Sequence, residues 1–79
     1  RIFFFDYKSV IKEYADANEL EITYSILKEY GVPHDKTFII AIIIDGVEFG
    51  VGQGKNKKEA EQAAAKVALA KLNVGVLNE

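Results

Sequence analysis

Thr37-Phe38-Ile39-Ile40-Ala41-Ile42-Ile43-Ile44-Asp45-Gly46-Val47-Glu48-Phe49-Gly50-Val51-Gly52 decides what kind of fold this chain can adopt. The run from Thr37 to Ile44 is dense in β-branched side chains, which suit a pleated, buried surface, so it predicts a central strand. Asp45-Gly46 is a strong two-residue hairpin signal, because both central positions of such a turn take positive φ. A second, antiparallel strand is expected from Val47 to about Gly52. A period of two puts Phe38, Ile40, Ile42 and Ile44 on one face, to be covered by helices, and Ile39, Ala41 and Ile43 on the other.

Working outward, Glu21 to Tyr30 alternates Ile22, Tyr24, Ile26 and Tyr30 with polar residues, the pattern of a half-buried strand. Gly31 to Lys36, with Pro33 and His34, reads as a loop. Further upstream, Asp6 is a candidate N-cap, and Val10, Ile11, Tyr14 and Ala15 recur at helical spacing, predicting a helix over about Tyr7 to Asn18. Its opposite stripe is Ser9, Lys12, Glu13 and Asp16. Downstream, Asn56 can cap a second helix from Lys57 to about Asn73. Ala60, Ala64, Val67, Ala68 and Leu72 give that helix an apolar stripe of mostly small side chains. The order α-β-β-β-α predicts an α+β domain: one three-stranded antiparallel sheet with both helices on one face. The domain is expected over residues 6–73, with 1–5 a linker remnant and 74–79 a frayed tail.

The chain has 79 residues, 49% hydrophobic, which is one domain with enough apolar material for a core. No cysteine is present, so neither a disulfide framework nor a cysteine-ligated zinc site can hold it together. That composition fits a reducing compartment, and the expected location is the cytoplasm. The apolar run Phe38–Ile44 is too short to span a bilayer, and Arg1 to Asp6 lacks the form of a secretory signal, so no membrane association is expected. The start without methionine suggests a piece of a longer protein. The net charge of −2 argues against nucleic acid if taken as a sum. Its distribution argues otherwise. Residues 6–30 hold six carboxylates and three lysines, while Lys55, Asn56, Lys57 and Lys58 form a basic cluster. Screening acts over roughly 8 Å at physiological salt, so such a cluster still attracts phosphate locally.

The candidate site is Gly50-Val51-Gly52-Gln53-Gly54-Lys55-Asn56-Lys57-Lys58. Alternating glycines permit unusual backbone angles and close approach of another molecule. The start of the following helix offers unpaired N–H groups and a partial positive charge, to which Lys55, Lys57 and Lys58 add formal charge. Together these read as a phosphate clamp. A Walker A loop is excluded: Phe49 stands where it needs glycine, and Asn56 where it needs serine or threonine. A dinucleotide fingerprint would need glycine at Lys55 and a surrounding βαβ unit. The bland alternative remains a hairpin end feeding a capped, lysine-rich, solvated helix. Taken singly, Glu13 is an ordinary solvated helix residue and His34 an ordinary loop histidine. With one histidine and no cysteine, no metal site is expected. The carboxylates form no constellation with a nucleophile or metal ligands, so no catalytic role is assigned.

Gly52-Gln53-Gly54-Lys55-Asn56-Lys57-Lys58-Glu59-Ala60-Glu61-Gln62-Ala63-Ala64 resembles the G-x-G-x-S-K-K-x-A-E-x-x-A-A signature of the double-stranded-RNA-binding domain. The likeness extends through Phe38, Gly46 and Gly50 to Gly31 and His34, covering about residues 6–72. Asp6-Tyr7-Lys8-Ser9, Ile11 and Glu13 are similar to the RNA-binding domain that ends bacterial ribonuclease III. The resemblance implies binding of A-form RNA by shape, across two minor grooves and the major-groove phosphates between them. It implies that Ser9, Lys12, Glu13 and Asp16 meet one minor groove and that Pro33 and His34 enter the second. Lys55, Asn56, Lys57 and Lys58 would then bridge the phosphates. It also implies a separate nuclease domain in a longer parent, with magnesium as the cofactor there and none in this fragment.

The sequence departs from that pattern in three places. Proline stands one place closer to the histidine, in Gly31-Val32-Pro33-His34. Lys12 occupies a position where relatives usually carry glutamine, making it a donor only. Asn56 replaces the usual serine and caps equally well. The outward Ile39, Ala41 and Ile43 are more apolar than the resemblance leads one to expect, which suggests a contact surface for the nuclease domain or for a second copy as a homodimer. A rival reading is therefore a protein-interaction or dimerisation module of the same fold with weak RNA binding.

Overall fold

The computed structural model describes residues 6–74, in the order α1 (Tyr7–Ala17), β1 (Ile22–Val32), β2 (Asp35–Ile44), β3 (Val47–Gly54) and α2 (Lys57–Leu72). The strands form one antiparallel sheet in the order β1-β2-β3. At Asp45-Gly46 both residues take positive φ, 48° and 83°, as the hairpin signal requires. Asp45 also ties this turn to the start of β1: its Oδ1 accepts from the Glu21 N–H at 2.8 Å, and its own N–H donates to the Glu21 carbonyl at 2.8 Å.

The core forms between the sheet and the helices. Ile11 of α1, Ile42 and Ile44 of β2, and Ala64, Ala65, Ala68 and Leu69 of α2 are buried together, with Tyr24 and Phe49 packed at the margin. Register explains the choice: Ile42 lies opposite Tyr24 and Gly50, and Ile40 opposite Ile26 and Gly52, so these pairs share the inner face. A bulge at Phe49 of β3, between residues paired with Ile42 and Ile43, lets that ring reach the core. Helix α2 lies directly on β3 and β2, and α1 packs against α2.

Four expectations are corrected. First, Gly31–Lys36 is not an open loop: Gly31 pairs with Lys36 and Val32 with Asp35, leaving Pro33-His34 as a two-residue turn. Gly31 makes this close approach tolerable, since at φ 105° a Cβ there would lie 2.5 Å from the Asp35 carbonyl oxygen. Second, the glycines of β3 do not serve an outside molecule. Gly50, Gly52 and Gly54 sit under α2, and a Cβ on any of them would strike helix backbone. Third, Val67 is 39% exposed, and Ala65 and Leu69 complete the buried stripe instead. Fourth, the outer sheet face is less bare than a period of two suggests. Ala41 is fully buried beneath its neighbours, and Ile39 and Ile43 are only half-exposed.

The second helix ends where the left-handed Asn73, φ 60°, breaks it, and Val74 packs on the core rather than fraying. The expectations for residues 1–5 and for 75–79 lie outside the described residues.

Candidate nucleic-acid interface

Helix α1 is capped by Asp6, whose Oδ1 accepts from the Ser9 N–H at 3.3 Å while Oδ2 accepts from the Ser9 hydroxyl at 2.9 Å. That start sets which stripe faces out. Ser9, Lys12, Glu13 and Asp16 are all exposed. Lys12 and Asp16 pair across one helical turn at 3.2 Å, in open solvent, where such a pair exchanges easily for another partner. Glu13 has no hydrogen bond or ion pair among the described residues, so its carboxylate is available to accept from hydroxyl donors.

The second patch is the Pro33-His34 turn, exposed at the far end of the β1–β2 hairpin. It shares a shallow cleft of about 340 Å³ with Asp35, Lys36, Phe38 and Lys55. Loop and clamp therefore share one cleft. Lys55 reaches across to Asp35, Nζ to Oδ1 2.9 Å, and the Asp35 carboxylate, first by that hydrogen bond and then by its charge, holds the Lys55 ammonium above the usual lysine range. Nearby, Lys36 binds Glu29 at 2.6 Å and, by hydrogen bond and charge, holds the Glu29 carboxyl below its ordinary range. Lys55 is a paired cation, but the pair stands in open solvent and exchanges as readily as Lys12–Asp16.

The third patch opens α2. Asn56 caps it, its Oδ1 accepting from the Glu59 N–H at 2.8 Å, while Glu59 Oε1 reaches back to the Lys55 N–H at 2.7 Å. This reciprocal arrangement, close to a capping box, uses the Lys55 and Glu59 donors and leaves the N–H groups of Lys57 and Lys58 pointing out of the helix start. The ammonium groups of Lys57 and Lys58 make no hydrogen bond or ion pair among the described residues. A helix start carries partial positive charge, so two lysines in its first turn oppose the helix's own field. Toward the helix dipole this placement is unfavourable, offset in part by the charges of Glu29 near Lys57 and Asp6 near Lys58, and toward an anion it is favourable.

A set of contacts that spacing could not reveal joins the first and third patches. Gln62 of α2 donates from Nε2 to Asp6 Oδ1 at 2.6 Å and accepts at Oε1 from the Lys8 N–H at 3.2 Å. Beside it Lys8 Nζ binds Glu61 Oε1 at 2.5 Å and lies 5.4 Å from the centre of the Tyr24 ring. The Gln62 hydrogen bond, with those from Ser9, holds the Asp6 carboxyl below its ordinary range. Burial, with Glu61 and Asp6 nearby, pushes the Tyr24 hydroxyl up to about 12. Ser9, Lys12, Asp16, Lys58 and Gln62 line one groove of about 430 Å³, over an apolar floor that includes Leu20, Ile22 and Tyr24. Sequence reasoning missed Asp35, Lys8 and Gln62, because their partners lie 20 to 56 positions away.

Among the described residues, no three His, Cys, Asp or Glu side chains gather as a metal site, and no helix is long and apolar enough to cross a membrane.

Comparison with known proteins agrees with this geometry. The chain is 46% identical over 74 residues to a Ribonuclease 3 of Caldanaerobacter subterraneus subsp. tengcongensis, covering 92% of this chain and 32% of that protein. It is 48% identical over 65 residues to a Ribonuclease 3 of Lactococcus lactis subsp. cremoris, covering 81% of this chain and 28% of that one. The chain thus spans about a third of the length of the curated relatives it matches. A solved structure of Arabidopsis HYL1, described with its implications for miRNA processing, superposes with a TM-score of 0.76 at 39% identity, covering 85% of this chain and 96% of that one. The second double-stranded-RNA-binding domain of DRB4 superposes with a TM-score of 0.61 at 32% identity, covering 87% and 97%. The family described as the double-stranded RNA binding motif matches residues 7–72, nearly the whole described domain, and the chain belongs to that family.

Proposed function

We propose that this domain binds double-stranded RNA by its A-form shape. Ser9, Lys12, Glu13 and Asp16 of α1 meet one minor groove, Pro33 and His34 the next, and Lys55, Asn56, Lys57 and Lys58 the phosphates between. A-form RNA suits these three patches because its shallow minor groove displays 2′-hydroxyls, whereas its major groove is too deep and narrow for side chains to read bases. Sequence dependence is therefore weak. The observation that carries this reading is the pair of exposed ammonium groups at the start of α2, Lys57 and Lys58, which stand against the helix dipole and make no ion pair among the described residues.

The longer protein, on this reading, is a ribonuclease III-type endoribonuclease, and this domain is the part that holds the substrate. The relatives in Caldanaerobacter and Lactococcus support it. Cleavage and its magnesium belong to a separate nuclease domain of the same chain, and the cytoplasm is the expected place of action.

Backbone amide chemical shifts recorded while a 20-base-pair RNA duplex is added test the placement. Shifts are expected in three clusters, at residues 9–16, 33–36 and 55–58. If they concentrate instead on the outer sheet around Ile39, Ile43 and Val51, the protein-contact reading replaces this one.

A further inference from the structure

We infer that Gln62 is a positioning residue: by fixing α1 against the start of α2 it sets the register between minor-groove and phosphate contacts, and so the preference for RNA over DNA. The inference rests on the double-stranded-RNA reading above.

Gln62 lies one helical turn after Lys58, so both project from the same face of α2. Its amide meets α1 at two points, the Asp6 carboxylate at 2.6 Å and the Lys8 N–H at 3.2 Å. With an acceptor on one side and a donor on the other, the amide works in one orientation only. Asp6 is in turn the cap that holds Ser9 through both backbone and hydroxyl. A chain of hydrogen bonds therefore runs from the residue one turn below Lys58 to the first minor-groove side chain.

The apolar contact between the helices cannot supply this register alone. Helix α1 fully buries Ile11 and Ala15, packs Tyr7 and Val10 at the margin and holds the Tyr7 ring 5.6 Å from the Lys66 ammonium of α2. Such contacts tolerate small displacements because they are largely non-directional. Without the amide, these contacts leave α1 more freedom to slide or roll on α2. The neighbouring Lys8–Glu61 pair is a weaker guide, since it joins two flexible side-chain ends and leaves the backbone of α1 unheld.

Register matters differently for the two nucleic acids. Phosphates are common to both, so Lys57 and Lys58 can engage either duplex. The 2′-hydroxyl belongs to RNA alone, and only a correctly placed α1 is rewarded by it. Loss of register should thus remove the RNA advantage and leave phosphate attraction untouched.

The test is Gln62→Leu, which keeps the bulk and loses both hydrogen bonds, titrated beside the wild-type chain with 20-base-pair RNA and DNA duplexes at low salt and well below melting. RNA affinity is expected to fall about tenfold, as when a preorganised second contact must be ordered on binding. DNA affinity should change by less than about twofold, and the salt slope on RNA should hold, because every lysine that meets a phosphate is still in place. Glu61→Gln, which breaks only the side-chain pair, should leave the RNA-to-DNA ratio within about twofold. Should Gln62→Leu fail to fold, Gln62→Asn, one methylene too short to span both partners, takes its place. An unchanged ratio in the variant, or equal losses on RNA and DNA, overturns the positioning role. A wild-type chain without RNA preference overturns instead the function on which it rests.

Discussion

Gly52→Ala is expected to destabilise the domain by about 3 kcal/mol or more and to lower its melting temperature by roughly 12–24 °C. The added Cβ would lie 2.5 Å from the Ala60 carbonyl oxygen and 2.6 Å from the Ala63 carbonyl carbon. Those are backbone atoms of α2, and neither can move aside without lifting the helix from the sheet. Overpacking against side chains costs about 1–3 kcal/mol, so a clash with backbone belongs at the top of that range or above it. Opposing it is the conformational entropy that alanine removes from the unfolded chain, about 0.4–1 kcal/mol. The clash wins. A chain of this length is stable by roughly 4–12 kcal/mol, so the loss is a large share of the whole. Gly46→Ala provides the contrast: nothing lies within 4 Å of its Cβ position, and only its φ of 83° resists a side chain. Its cost should be about 1–2 kcal/mol. Melting curves followed by circular dichroism separate the two, and equal melting temperatures for Gly52→Ala and the wild type would mean that α2 does not sit as close as described.

Lys57→Ala combined with Lys58→Ala is expected to weaken binding to duplex RNA at least about tenfold and to reduce the salt slope by about 0.9 for each phosphate no longer neutralised. The same double variant should melt close to the wild-type temperature, since relief of the helix dipole and loss of the lysines' attraction to Glu29 and Asp6 oppose each other. Neither lysine makes a hydrogen bond or ion pair among the described residues, and removing positive charge from a helix start relieves the helix dipole. A large loss of binding with little change in stability is the mark of residues kept for a ligand. Lys55→Ala is a different case, because Lys55 must leave Asp35 before it can meet a phosphate, and Asp35 is left without its cation when Lys55 is removed. Titrations at two salt concentrations measure the slope, and unchanged affinity in the double variant would contradict the clamp.

What the sequence could reveal follows the range over which its signals act. Asp45-Gly46, the β-branched run before it, and the caps at Asp6 and Asn56 are local, and each stands where local chemistry puts it. Two misreadings come from residues whose local meaning is ambiguous. Pro33 reads as a loop marker, yet its fixed φ also suits the first position of a tight turn, and pairing continues up to it from both sides. The glycines of β3 read as room for a ligand. Room is what they provide, but the occupant is α2, whose Ala60, Ala64 and Ala68 descend onto them. The stripe of α2 is harder to place, because an alanine-rich helix offers little contrast between faces, and Leu69 rather than Val67 turns inward. For the site, exposure of the α1 stripe and of Lys57 and Lys58 is legible from periodicity. The ties from Asp35 to Lys55 and from Gln62 to Asp6 are not, since they depend on how distant parts of the chain meet in space.

The most direct test of RNA recognition is a titration of the domain with a 20-base-pair RNA duplex and the DNA duplex of the same sequence, each at low and at physiological salt. RNA should bind more tightly at both, with affinity on either duplex falling as salt rises. Equal affinity for the two duplexes, or no measurable binding to RNA in dilute buffer, would contradict it.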